Sequence, residues 1–223
     1  VASGALPPAG AVLLAEVVAA RCAFLVTGGT GSGKTSVLSA LLSLVDPTER
    51  LVVVEDASEL RPDHPHVVAL EARPPNIEGV GEITLRTLVR QALRMRPDRL
   101  VVGEVRGAEV VELLAALNTG HAGGCGTLHA NSAADVPARI EALALAAGLP
   151  RGAAHSQLAA ALDVVLHLGR DADGRRRVRE VAVPVRDPDG FVVLRTAATF
   201  DGDRVVRGPA AARLAARLET PAW

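Results

Sequence analysis

The sequence predicts an α/β fold, with a mainly parallel sheet in its core and an antiparallel, β-rich C-terminal segment after it. Over 24–146, apolar runs alternate with helix-period segments and end repeatedly in glycine or acidic residues, as βα units around a parallel sheet do. Beyond about residue 148 the pattern changes to strand-like runs separated by Asp173-Gly174 and Asp189-Gly190, the turn signals of antiparallel hairpins. The expected division is 1–150 for the core and 151–223 for a helix plus β-hairpins that complete the same domain.

In the core, strands are expected at 23–27, 51–55 and 100–104, where apolar runs have strand length, with a short one near 126–130. Helices are expected between them at 34–44, 84–95, 108–118 and 136–147. The helix from Thr84 places Leu85, Leu88, Val89, Ala92 and Leu93 on one face, with Arg86, Arg90 and Arg94 as a second stripe, and Pro97 stops it. In the second segment, strands are expected at 164–168, 178–185 and 191–199, and a short helix at 209–218.

Composition narrows the function. A formal net charge of −1 leaves no basic footprint of the kind a nucleic acid demands, so no specific nucleic-acid partner is expected. The two cysteines, Cys22 and Cys125, form no CxxC pair, and the start resembles no signal peptide; a reducing cytoplasm is the expected setting. The best membrane-span candidate, 11–20, is too short and carries Glu16. Of 24 basic residues a single one is lysine, Lys34.

Lys34 sits in Gly28-Gly29-Thr30-Gly31-Ser32-Gly33-Lys34-Thr35, a full GxxxxGK[ST] loop directly after an apolar strand and directly before a helix. Glycines let successive N–H groups curl around phosphate oxygens, and the helix N-terminus adds partial positive charge. Lys34 would reach the β- and γ-phosphates and Thr35 would offer its hydroxyl to Mg²⁺, so ATP and Mg²⁺ are the expected ligands. Two further acidic groups end predicted strands, whose C-termini converge on the P-loop edge. Glu55 and Asp56 follow the first and suit Mg²⁺, partly through its water shell, with Glu55 a second catalytic candidate. Glu104 follows the second, where Gly103 takes the usual Walker B aspartate position, and suits orientation or deprotonation of the attacking water.

The stretch from Asn118 to Asn131 puts His121 and His129 around a glycine-rich loop. Zinc through His121, Cys125 and His129 lacks a fourth ligand and matches no compact zinc spacing. A γ-phosphate-sensing His129 at the same sheet edge fits better.

With these motifs in order, GGTGSGKT, VVVEDASEL, RMRPDRLVVGEVRG and NTGHAGGCGTLHAN, the chain resembles the type II/IV secretion ATPase family, and most the branch that drives tight-adherence pili and conjugal transfer. They stand where that family has its Walker A loop, Asp box, atypical Walker B with Gly-Glu, and His box. The resemblance runs from about residue 11 to 168. It implies a RecA-like motor domain, and a ring of six subunits that opens and closes on ATP hydrolysis at the inner face of the cell membrane. That motion would drive an integral-membrane platform in secretion or pilus assembly. Some of Arg73, Arg86, Arg90, Arg94, Arg96 and Arg106 would then serve phosphates or subunit contacts. Family members also carry an N-terminal domain of about a hundred residues, whereas this chain begins with valine 27 residues before the P-loop; a fragment, or a short gene with a GTG start, is expected. A small-molecule P-loop kinase and a nucleotide-binding regulatory module with negligible turnover are the alternatives.

Overall fold

The computed structural model describes residues 4–171, 173–201 and 204–219. Uninterrupted apolar runs such as Leu51-Val52-Val53-Val54 cannot face water on either side, so they form strands covered on both faces. The central strands are β1 (Phe24–Gly28), β2 (Leu51–Glu55), β4 (Arg99–Val105), β5 (Cys125–Leu128) and β6 (Val164–Arg170). With β3 (Val67–Glu71), β7 (Arg176–Arg186), β8 (Val192–Asp201) and β9 (Arg204–Arg207) they make one sheet in the order β3-β2-β4-β5-β1-β6-β7-β8-β9. Pairing is parallel from β3 through β6 and antiparallel from β6 to β9. Because β6 lies directly against β1, the sheet runs unbroken across the change in pattern near residue 150.

Alternate residues feed two apolar layers. Leu25, Val52, Val54, Leu100, Val102 and Val165 pack with α3 (Leu85–Ala92), α4 (Glu109–Asn118), α5 (Val136–Ala146) and α6 (Arg151–Ala161). Phe24, Val26, Val53, Val101 and Leu166 face the other way, with α1 (Pro8–Ala19), α2 (Lys34–Leu42) and α7 (Ala211–Glu219). The helix expected over 84–95 is α-helical only to Ala92; it tightens into a 3₁₀ turn at Leu93–Met95, and Arg96 adopts a left-handed conformation (φ 53°) ahead of Pro97.

Four elements escape the sequence pattern. β3, the edge strand beside β2, opens with the apolar run Val67-Val68-Ala69-Leu70, but the run is short and its side chains are half-exposed. α6 is built largely from alanine and buries a stripe of Ala154, His155, Leu158 and Ala161 too weak to stand out from its composition. α1 was legible only as an apolar stretch, and β9 is four residues long.

Candidate functional site

The C-terminal ends of β1, β2, β4 and β5 bring the P-loop and three acidic or histidine-bearing loops to one edge. β1 ends at Gly28, where φ is +148° and a Cβ would lie 2.6 Å from the Leu168 carbonyl oxygen. At Gly33 φ is +97°, and α2 starts with the next residue. Both positions need glycine. Lys34 Nζ donates to the carbonyls of Gly28 and Gly29, each at 3.1 Å. Desolvation lowers the pKa of this ammonium, with Glu104 opposing the shift. Thr30 and Ser32 complete the loop together with Gly31, whose carbonyl accepts from Arg170 Nη2 at 2.9 Å.

Glu104 and His129 reach the lysine from β4 and from just beyond β5. His129 Nε2 lies 2.7 Å from Glu104 Oε1 and 3.4 Å from Lys34 Nζ. The ring cannot serve both as an aligned partner, and Glu104 Oε1 is a buried oxygen with no well-formed hydrogen bond. Desolvation lowers the His129 pKa and Lys34 adds to the shift, so the ring is neutral at neutral pH. The other oxygen of Glu104 is paired with Arg106, whose own pKa this bond raises.

The Asp-box residues divide. Glu55 is buried, and its Oε1 accepts from the backbone N–H groups of Glu59 (3.2 Å) and Leu60 (3.0 Å), folding the following loop back toward the P-loop. A Cβ on Gly103 would sit 2.5 Å from Glu55 Cγ. The missing Walker B aspartate therefore has a steric cause: Glu55 fills the space any side chain at 103 would need. Asp56 is exposed, and partial desolvation raises its pKa against the pull of Arg106. The folded-back loop carries a carboxylate that motif reading passed over: Thr35 Oγ1 donates to Glu59 Oε2 at 3.3 Å. The signal was there, an acidic residue four positions after Glu55, but spacing alone does not show that the loop doubles back.

Other sequence candidates lie apart. Cys125 opens β5 at the far edge of the sheet from His129, its thiol pushed up to about 12 by burial. His121 bonds the Ala116 carbonyl, and no group of three or more His, Cys, Asp or Glu side chains placed to hold a metal ion exists among the described residues. Arg86 and Arg90 both bind Glu112, and Arg73 bonds the Gly81 carbonyl, so within this chain these are structural contacts. Besides Glu59, two residues not singled out in the sequence matter: Arg170 at the end of β6, which donates to the P-loop, and Glu109, whose Oε1 accepts from the N–H groups of Arg106 and Gly107 at 2.6 and 2.7 Å and fixes the loop after β4.

The residues suit a nucleotide and its metal. The P-loop curls ahead of a helix N-terminus, Ser32 Oγ and Glu104 Oε1 are buried without hydrogen-bond partners, and Thr35 stands beside a carboxylate. Next to the loop runs a groove of about 780 Å³ with apolar walls that include Val12, Val37, Leu41 and Leu44, and Arg175 and Arg176 at its rim.

Comparison with known proteins bears on the family and the fold. The family model described as type II/IV secretion system protein matches residues 2–202. A putative conjugal transfer protein of Mycobacterium tuberculosis is 61% identical over 211 residues, covering 95% of this chain and 59% of the relative. The chain therefore spans about three-fifths of that relative's length. Among solved structures, the VirB11 ATPase of the Brucella suis type IV secretion system, in complex with sulphate, superposes with a TM-score of 0.65 at 32% identity, covering 78% of this chain and 52% of that one. The pilus retraction motor PilT with bound ADP gives 0.59 at 26% identity, covering 95% and 54%. The RecA-like, mostly parallel architecture expected from sequence is the one observed.

Proposed function

This chain belongs to the type II/IV secretion system protein family, and from that premise we propose that it is the ATP-hydrolysing part of a motor that powers secretion or pilus assembly. The observation that carries the proposal is the convergence of Lys34, Glu104 and His129 within 3.4 Å contacts at the end of the P-loop strand. Phosphoryl transfer to water needs positioning and charge stabilisation more than covalent chemistry. The P-loop N–H groups and Lys34 would bind the phosphates, on displacement of the lysine from the Gly28 and Gly29 carbonyls it now holds. Thr35, Glu59, Glu55 and Asp56 are the groups that would hold Mg²⁺, directly or through water; the ion would neutralise charge developing on the phosphates. Glu104 would orient the attacking water, and the neutral His129 ring would meet the γ-phosphate. The apolar groove beside Ser32 and Gly33 suits a purine ring.

As in the family that the sequence resembles, the working unit would be a hexamer acting on an integral-membrane platform at the inner face of the cell membrane. Among the described residues no helix is long and apolar enough to cross a membrane. The test is steady-state phosphate release from ATP. Turnover that needs Mg²⁺ and is lost in Lys34→Ala is expected; tight ATP binding with no turnover under any assembly condition would turn the reading to a nucleotide-responsive regulatory module.

A further inference from the structure

We infer that Arg170 and Arg176, partners across the β6–β7 hairpin and outside every motif, form an anion subsite for the nucleotide phosphate nearest the base; this rests on the nucleotide-binding reading above. The two residues stand directly opposite each other beside the hairpin turn, two positions along each strand from the Leu168–Val178 pair. Leu168 and Val178 are buried in the layer that packs with α2, and side chains two apart on a strand share a face, so both arginines stand on the P-loop side of the sheet. Arg170 Nη2 donates to the Gly31 carbonyl at 2.9 Å, and a Cβ on Gly31 would lie 3.1 Å from the same nitrogen. Arg176 Cδ is 3.4 Å from the position a Cβ on Gly33 would take, and Arg176 lines the apolar groove together with Ser32 and Gly33. Ser32, between the two glycines, is 3% exposed, and its Oγ has no hydrogen-bond partner.

The other arginines of the hairpin are matched within it: Arg177 and Arg179 both pair with Asp171, and Arg175 pairs with Asp173. Arg170 and Arg176 have no carboxylate within ion-pair distance among the described residues; Arg170 spends one guanidinium donor on Gly31 and Arg176 spends none. Exposed arginines without partners are common on any surface. These two are set apart by facing each other on the side that carries the P-loop, one bonded to that loop and the other against it. Like charges directly opposite destabilise an antiparallel pair, so the sheet itself gains nothing from this one. An anion between them turns the repulsion into attraction, and the planar fork of arginine suits phosphate. Lys34, Glu104 and His129 meet elsewhere on the loop, at the Gly28 and Gly29 carbonyls. A nucleotide with its terminal phosphate there and its base in the groove lays the phosphate nearest the base beside Gly31 to Gly33, where the two arginines stand.

That phosphate is present in both ATP and ADP and is not transferred, so the subsite contributes to binding of both nucleotides and little to chemistry. Arg176→Ala should weaken Mg-ATP and Mg-ADP by the same factor, about tenfold as for loss of a charge-assisted bond, and raise the ATP KM with kcat near wild type. Arg176→Lys keeps the charge without the fork and should recover part of the affinity. Arg170→Ala should act in the same direction, and its effect should be less than additive with that of Arg176→Ala. Both side chains are exposed, so the variants should keep the fold, which a thermal melt checks. Arg195→Ala removes an exposed charge on β8 instead and should leave both affinities unchanged. Isothermal titration of each variant, with Lys34→Ala in the same series, makes the test. Wild-type affinities in Arg176→Ala, a loss confined to ATP, an effect matched by Arg195→Ala, or a lowered kcat at unchanged KM overturns the inference while Lys34→Ala still weakens binding. Nucleotide binding that does not depend on Lys34 overturns the P-loop reading, and the inference falls with it.

Discussion

The two ends of β4 carry charge in opposite ways. At its start Arg99 is 1% exposed, donating to Glu49 through Nε (2.9 Å) and Nη2 (3.0 Å) and to the Val18 carbonyl (3.0 Å). Arg21 adds a third cationic contact to the same carboxylate at 2.7 Å. Gly123 closes over the guanidinium so tightly that a Cβ there would lie 2.9 Å from Nη1. At the other end Glu104 shares one oxygen with Arg106 and leaves the other without a well-formed hydrogen bond beside His129. Charge matched inside the chain holds strands together. An unpaired atom alone does not mark a site, since Arg99 Nη1 is also buried without a hydrogen-bond partner; Glu104 differs in meeting His129 beside Lys34 at the P-loop edge of the sheet.

Breaking the closed end should have the largest effect. Glu49→Ala leaves Arg99 buried without its counter-charge, and loss of one partner of a buried pair costs about 3 to 5 kcal/mol. Urea denaturation should show that loss while nucleotide affinity of the folded protein is kept. A cost below about 1 kcal/mol, typical of exposed pairs, would mean Arg99 is satisfied by other means. At the open end the same kind of change should spare stability and remove chemistry. Glu104→Gln should bind ATP but hydrolyse it slower by about two orders of magnitude or more. Hydrolysis at the wild-type rate would move the water-orienting role to Glu59 or Glu55.

The open end was the more legible of the two in sequence. Gly28 to Thr35 form a contiguous motif, Glu55 and Glu104 follow apolar runs, and His129 closes a strand-like segment, so strand ends located them. What stayed hidden depends on how distant segments meet. Arg170 lies 139 residues from Gly31 in sequence, and Glu59 reaches Thr35 only because Glu55 caps the loop between them. Gly103 read as an atypical Walker B position, and the steric reason for it needs the side chain that occupies its space. The closed end was silent, since Arg21, Glu49 and Arg99 share no spacing rule and are joined by sheet order alone.

Lys34→Ala sharpens the contrast at intermediate size. The ammonium's closest bonds are to loop carbonyls, and Glu104, the carboxylate that favours its charge, keeps its pairing with Arg106 when the lysine is removed. Stability should change little. Mg-ATP binding should weaken at least about tenfold, through loss of a charge-assisted contact worth about 1.5 to 3 kcal/mol. Isothermal titration and a thermal melt on one preparation separate the two effects; unchanged affinity in a folded variant would remove the P-loop from the site.

The smallest expected effect is the dependence of stability on pH, and it too belongs to the open end. Desolvation lowers the pKa of both His129 and His167 relative to the unfolded chain. Between the folded and unfolded values the unfolded state binds more protons, so stability rises with pH through that window. The contribution is fully present above the unfolded histidine value, near 6.5, and is lost as pH falls through the lowered folded values. Denaturant midpoints measured from pH 7.5 down to about 5.5 should therefore fall in the wild type and fall less in a His129→Gln, His167→Gln double variant. Glutamine keeps a polar group at each position without a proton to gain. A double variant as acid-sensitive as the wild type would show that neither ring is held neutral by burial.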